Sequence, residues 1–193
     1  MARNLDMEKN GISWEQAVSR LKPLDPERAE GRQRAVLENA RQRLDMVPNF
    51  LKILSISPAA AEGYQNFSLA LRSGILPARI REAIALLVAQ FNGSEYSLAA
   101  HSALARMEGF SEEEIMDCRQ GASTDSLTLA ALNFTRTYLE QKGRVSGKDL
   151  DNLRRSGYED EEVVEIMAFV ALNIFTDYFN NAVRPELDFP PPG

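Results

Sequence analysis

The sequence predicts an all-α protein, a multi-helix bundle of about eight to ten helices. Residues that cap helices recur along its 193 positions, and apolar residues follow them at three- and four-residue spacing. No stretch alternates apolar and polar residues between hairpin turns, which is the pattern of a β-strand. Helices alone therefore have to bury the hydrophobic residues, which make up 44% of the chain.

In the first half of the chain, each predicted helix begins at a capping residue or near a proline. Ser13 and Gln16 have the spacing of a capping box, and Ser57-Pro58 places a cap directly before a proline. The predicted helices run from Ser13 to Leu21, from Asp25-Pro26 to about Leu44, from about Phe50, from Ser57-Pro58 to near Gly74, and from Leu76-Pro77 through Phe91.

Glycine and serine mark the helix boundaries of the second half. Gly93 is the expected left-handed residue after one helix, and Ser111 with Glu114 forms a second capping box. The last helix is apolar on most sides, so we expect it to be buried centrally or to lie against another subunit. The predicted helices run from Ser94 to Met107, from Ser111, and from near Asp125, Ser146 and Asp160.

The chain is predicted to be a single domain over 1–193, with an N-terminal helical extension (1–45), a core (45–183) and an extended, proline-rich tail (184–193). Its net charge is −6, and no cluster of Lys and Arg interleaves with aromatic residues, which argues against nucleic-acid binding. The longest apolar stretches are too short to span a bilayer, and the first residues lack the apolar segment of a signal peptide. We therefore expect a cytoplasmic protein that binds neither nucleic acid nor membrane.

Two residue types that often carry chemistry each occur once, as Cys118 and His101. A single cysteine excludes an intramolecular disulfide framework, and we expect Cys118 to be a buried, inert thiol. One His and one Cys are too few ligands for a transition-metal site, although carboxylates alone could hold a hard cation. No metal and no cofactor are therefore predicted.

The candidate catalytic residues are Glu82, Ser94, Ser97 and His101. Gly93 turns the chain, so that Ser94 is expected at the N-cap and Ser97 in the first turn of the next helix, with His101 one turn further on the same face. The helix that contains Glu82 can pack antiparallel and bring its carboxylate to that face. A histidine oriented by a carboxylate is suited to proton transfer.

Simpler interpretations of the same residues exist. Ser94 could be only a helix cap, for which serine is a preferred residue. Glu82 could pair with Arg79 or Arg81 in its own helix, and a lone histidine in a helix is often structural.

The spacing of the four residues resembles the site of the alkylhydroperoxidase D and carboxymuconolactone decarboxylase-like superfamily. That site has a glutamate, a CxxC pair twelve residues later and a histidine four residues after the second cysteine. The same intervals here separate Glu82, Ser94, Ser97 and His101, with serine in place of both cysteines. The resemblance covers roughly 45–189, and its ending resembles the peroxidase-related branch. The flanking matches are Val47-Pro48-Asn49-Phe50, Leu76-Pro77-Ala78-Arg79, Gly109-Phe110-Ser111 and the segment 172–180.

The resemblance implies an AhpD-like all-α fold that assembles as a homo-oligomer, a trimer or a hexamer. In the redox members the cysteines reduce a hydroperoxide and cycle through a disulfide, an antioxidant activity, while the glutamate and histidine relay protons. By position, Ser94 replaces the resolving cysteine and Ser97 the peroxidatic one. Tyr96 stands where some members have a second histidine.

The serines change the chemistry that can be expected. A hydroxyl forms neither a sulfenic acid nor a disulfide, so redox turnover is not expected from this chain. It is either a natural member that lost the cysteine pair or a variant in which cysteines were replaced by serine.

Three functions stay open for a chain with this sequence, each with a small molecule as its partner. The first is a non-catalytic, oligomeric binding protein. The second is acid–base catalysis by His101 and Glu82 on a lactone or carboxylic-acid substrate, as in the decarboxylase branch. The third is acyl transfer with Ser97 as nucleophile, which lacks the strand-to-helix elbow that hydrolases favour.

Overall fold

A computed structural model describes residues 19–192 of the chain. The described residues form nine α-helices and no β-strand, which confirms the predicted all-α class. The predicted helix from Ser13 lies outside the described residues, and 19–21, its predicted end, are not helical. The helices are α1 (Gly31–Leu44), α2 (Asn49–Leu54), α3 (Pro58–Arg72), α4 (Ala78–Asn92), α5 (Glu95–Met107), α6 (Glu112–Arg119), α7 (Ser126–Glu140), α8 (Gly147–Arg155) and α9 (Asp160–Val183).

The predicted helix start at Asp25-Pro26 is wrong, because α1 begins only at Gly31. The backbone N–H groups of Arg28 and Ala29 donate to the Asp25 carbonyl at 3.1 and 3.0 Å and close one isolated turn. Gly31 then has a φ of +54°, which is left-handed. A right-handed helix cannot continue through such a residue, so the turn and α1 stay separate.

The capping signals of the later helices are confirmed. The Ser57 hydroxyl accepts a hydrogen bond from the Ala60 N–H at the start of α3. Ser111 and Glu114 form a reciprocal capping box, with bonds of 3.1 and 2.8 Å. Each such cap contributes about 1 kcal/mol to helix stability, which explains why these starts follow from sequence.

The centre of the bundle is α4, which packs against α5, α6, α7 and α9. Every residue from Glu82 to Ala89 is buried, so this helix is enclosed on nearly all sides. Ile84 and Leu86 are fully buried, and burying such a side chain contributes about 1.5–3 kcal/mol. The centre of the bundle is thus α4, and α9 packs directly against it.

The last helix, α9, has one buried face and one exposed face. Ile166 and Val170 lie in the core, whereas Val164 and Tyr178 are exposed. Beyond its end, the tail crosses to α2, where the Asp188 carboxylate accepts from the Asn49 N–H at 2.8 Å. Residues 184–192 contain no helix, and side-chain hydrogen bonds hold this part of the tail against the bundle.

The helices also differ from membrane-spanning segments. Within residues 19–192, none combines the length and the apolar character that crossing a bilayer requires.

Candidate active site

The site lies where α4 turns into α5. Gly93 ends α4 with a φ of +62°, the left-handed conformation that the sequence predicts. The Ser94 N–H donates to the Ala89 carbonyl at 2.9 Å, which closes the turn. This corner places Ser94 and Ser97 at the start of α5, next to the buried face of α9.

The two serines bond to each other. The Ser94 hydroxyl donates to Ser97 Oγ at 2.9 Å, and both side chains are buried. Ser94 is the N-cap residue of α5, as predicted, but its side chain makes no capping bond to the backbone of that helix. A buried hydroxyl needs a partner, and the neighbouring serine provides one inside the protein.

The side chains of Glu82 on α4 and His101 on α5 contact each other, as the spacing predicts. His101 Nδ1 lies 2.8 Å from Glu82 Oε2, and the two side chains are 16% and 10% exposed. Arg79 instead pairs with Glu114, so the alternative pairing of Glu82 with that arginine does not occur. When Nδ1 carries a proton, it donates a hydrogen bond to the Glu82 carboxylate, and Nε2 of the imidazole is then available for proton transfer.

The second alternative partner is also engaged elsewhere, because the Arg81 guanidinium donates to the Leu76 carbonyl. Both simpler pairings of Glu82 are therefore replaced by its contact with His101.

Three further polar residues complete the site, although the motif spacing in the sequence did not predict them. Asn180 Nδ2 donates to Ser97 Oγ at 3.2 Å, and Asn92 Nδ2 donates to Asp177 Oδ2 at 2.9 Å. Asp177 and Asn180 are buried on α9. Their signal in the sequence is a set of polar residues at helical spacing on an otherwise apolar helix face.

Burial raises the pKa of the Asp177 carboxyl above its ordinary range. Hydrogen bonds from Asn92 and Ser97, and the charge of His101, act in the opposite direction without cancelling the effect. The site therefore contains two carboxyl groups in different settings, one paired with His101 and one enclosed by neutral polar groups.

Tyr96 links the site to the tail. Its buried phenol donates to Asp188 Oδ2 and accepts from the Phe50 N–H at 3.4 Å. Burial raises the pKa of this phenol, and the neighbouring Asp188 carboxyl adds to the effect. Tyr96 thus anchors the tail, at a position where some members of the superfamily that this sequence resembles have a histidine.

The geometry does not form an acyl-transfer triad. Within the described residues, no hydrogen bond joins Ser97 to His101, and Ser97 instead bonds to neutral groups that include Ser94 and Asn180. Across residues 19–192, no three His, Cys, Asp or Glu side chains are grouped as metal ligands. Cys118 is buried on α6, and burial raises the pKa of its thiol to about 11, as expected for an inert thiol.

Comparison with known proteins shows the fold of the chain and a family match over part of its length. Residues 58–137 match the Carboxymuconolactone decarboxylase family. The segment covers α3 to most of α7 and contains all four candidate residues. The chain thus has an AhpD-like all-α fold, and its residues 58–137 are similar to the Carboxymuconolactone decarboxylase family. No curated protein sequence matches the chain.

Solved structures with the same fold include a peroxidase-related protein from Ralstonia eutropha, described as an alkylhydroperoxidase AhpD core. It is 20% identical, with a TM-score of 0.79 over 89% of this chain and 93% of that one. A peroxidase-related protein from Silicibacter is 22% identical, with a TM-score of 0.73 over 86% and 90%. The debrominase Bmp8, as a cysteine-to-alanine variant with 2,3,4-tribromopyrrole, is 21% identical, with a TM-score of 0.72 over 87% and 91%. At these identities the likeness establishes the fold.

Proposed function

We propose that this chain is an acid–base enzyme in which His101 transfers a proton and Glu82 orients the imidazole. The observation that carries the proposal is the 2.8 Å contact between His101 Nδ1 and Glu82 Oε2. The carboxylate fixes the ring and stabilises the imidazolium that forms when Nε2 takes a proton. A positioned histidine of this kind accelerates proton transfer by about 10²–10⁴-fold.

The substrate in this proposal is a small organic acid or lactone. The name of the matched family refers to decarboxylation of carboxymuconolactone, and one structural neighbour binds 2,3,4-tribromopyrrole, also a small ring compound. Loss of a carboxyl group or movement of a double bond in such a ring requires proton transfer at carbon. That is the chemistry which a histidine–carboxylate pair supplies.

The second candidate is thiol-dependent hydroperoxide reduction, the antioxidant activity that the family resemblance implies. It is favoured by the 2.9 Å separation of the two side-chain oxygens at positions 94 and 97, because cysteine sulfurs at these positions would be close enough to form a reversible disulfide. With serine at both positions the chain cannot carry out that cycle. This candidate therefore applies to a form of the protein with cysteines there.

Turnover assays separate the two candidates. We expect the chain to convert members of a panel of unsaturated γ-lactones and β-keto acids, and to consume no hydroperoxide with a dithiol reductant. His101→Ala should lower the lactone or keto-acid rate by about 10²–10⁴-fold. Glu62→Gln, a change at an exposed glutamate paired with Arg32, is the matched control and should keep the rate. Hydroperoxide turnover by the serine chain would overturn the proposal.

A homo-oligomer is part of the proposal. The exposed face of α9 carries apolar residues at alternating four- and three-residue spacing, which is the spacing of a helix–helix seam. The largest of them, Val164, Phe175 and Tyr178, are 59%, 44% and 62% exposed. We expect a trimer or hexamer by light scattering, and a monomer would contradict this part. The expected cytoplasmic location also stays a proposal, which cell fractionation tests.

A further inference from the structure

A closed cluster of polar side chains lies where α9 meets the corner between α4 and α5. Asp177 is fully buried, and Asn180 and Ser97 are each 3% exposed. Two oxygens of this cluster, Asp177 Oδ1 and Asn180 Oδ1, have no hydrogen-bond partner. The Asn180 amide oxygen can only accept a hydrogen bond, and the same holds for Asp177 Oδ1 when the carboxyl group is ionised. Each oxygen therefore needs a donor from its surroundings.

No donor group of the cluster is hydrogen-bonded to either unpartnered oxygen. One N–H of Asn92 donates to Asp177 Oδ2, and one N–H of Asn180 and the Ser94 hydroxyl both donate to Ser97 Oγ. Each of the two amides has a second N–H, but neither bonds to an unpartnered oxygen. Ser97 Oγ therefore accepts twice, and its single O–H remains to be donated. That O–H can serve one unpartnered oxygen but not both. An unmet buried acceptor is costly, so a further proton is favoured.

The two unpartnered oxygens belong to neighbours on one helix face. Asp177 and Asn180 are three residues apart on α9, the spacing at which side chains meet. A proton on Asp177 Oδ1 can therefore be donated to Asn180 Oδ1, which satisfies both atoms. Burial of the Asp177 carboxyl raises its pKa and favours the same protonated form.

We propose that Asp177 is a neutral carboxylic acid in the resting protein, donating to Asn180 and accepting from the hydroxyl at position 97. It is a positioning residue, because it acts through Ser97. Its neutral form fixes the direction of the hydroxyl pair, from Ser94 to Ser97 and on to α9. No contact with a substrate is needed for this role.

If the proposed function holds, the proton on Asp177 also affects which substrates the site accepts. An ionised Asp177 would repel an anionic substrate or an enolate formed beside His101, whereas a neutral acid does not. The site would thus accept a small carboxylate more readily than its own acidic residues suggest. Besides Asp177, the charged groups here are His101 on α5 and Glu82 on α4, and these two pair with each other.

Infrared spectroscopy of the full chain tests the proton directly. At pH 7, where exposed carboxyl groups are ionised, we expect a carbonyl band of a protonated carboxylic acid. Asp177→Asn should remove the band and Asn180→Ala should shift it, while Asp151→Asn, a change at an exposed aspartate, should leave it. Absence of the band at pH 7 in the unmodified chain would overturn the proposal, even if a variant failed to fold.

Denaturant unfolding against pH is the second readout. If the native carboxyl keeps its proton above the ordinary range of aspartate, the native state binds more protons than the unfolded state. The stability of the unmodified chain should then fall relative to Asp177→Asn as pH rises, by up to about tenfold in the unfolding constant per pH unit. Parallel curves above pH 4 would contradict the proposal. Neither the infrared band nor the unfolding curve depends on enzyme turnover. The proposal about Asp177 can therefore fail or succeed independently of the His101 assay.

Discussion

Replacing both serines by cysteine should restore a disulfide pair. The oxygens of Ser94 and Ser97 are 2.9 Å apart and lie one helical turn from each other at the start of α5. A disulfide joins sulfurs about 2.05 Å apart, and the longer bond from Cβ to sulfur brings the two atoms closer than the oxygens. We therefore expect Ser94→Cys/Ser97→Cys to oxidise without movement of the backbone.

The size of the effect follows from the loop that the bond closes. Four residues, 94 to 97, give an expected stabilisation of about 2 kcal/mol from lost freedom of the unfolded chain. For a chain of this length, that corresponds to a rise in melting temperature of about 4–8 °C. Both positions are buried, so the larger sulfur atoms add packing strain. Comparing the oxidised and reduced forms of one variant removes most of that strain from the result.

Thiol counting in denaturant provides the assay. The reduced variant should show three thiols, its own two and Cys118, and the oxidised variant should show one. The single change Ser94→Cys is the control and should keep two thiols under the same oxidant. Three thiols after oxidation, or equal melting temperatures for both forms, would refute the geometric reasoning about this pair.

Three further expectations concern the core, the lone thiol and the tail. Ile84→Ala removes a fully buried side chain from α4 and should lower the free energy of unfolding by about 2–5 kcal/mol in urea. Met107→Ala, at a side chain that is 82% exposed, should change it by less than about 0.5 kcal/mol. The pKa of Cys118 is raised from 9.0 to about 11, so its contribution to stability is present below pH 9. As pH rises from 9 to 11 that contribution is lost, and Cys118→Ala should remove this part of the pH dependence. Tyr96→Phe breaks the bond to Asp188 and should cost about 1 kcal/mol, measured as a lower urea midpoint.

Each of these results has a contrary outcome. Equal losses for Ile84→Ala and Met107→Ala would mean that α4 is not the centre of the bundle. A Cys118 thiol that is alkylated in the native state at pH 8 would show that it is accessible. A urea midpoint of Tyr96→Phe equal to that of the unmodified chain would remove the Asp188 contact from the account.

The parts of the fold that sequence predicted are those governed by local interactions. Ser57, Ser111 and Ser146 each satisfy backbone N–H groups within three residues, so their signal does not depend on the rest of the protein. Gly93 is similar, because its left-handed conformation is a local requirement of the turn. The contact of Glu82 with His101 also followed from spacing, since both helices meet at that turn.

The errors occur where tertiary structure overrides a local preference. Ser94 is a good cap by residue type, but its burial beside Ser97 directs the hydroxyl inward. Asp25-Pro26 has the features of a helix start, yet Gly31 interrupts the chain before α1. Asp177 and Asn180 could not be assigned because their partners lie more than eighty residues away in sequence. Only the packing of α9 against the site brings these groups together.

Hydrogen–deuterium exchange at carbon tests the central claim most directly. An unsaturated γ-lactone is incubated in deuterated buffer with the unmodified chain or with His101→Ala, and exchange of its acidic C–H is followed by proton NMR. If His101 and Glu82 form the acid–base pair, the unmodified chain accelerates exchange and the variant loses about 10²–10⁴-fold of that rate. Equal exchange rates with the unmodified chain and with His101→Ala would contradict it.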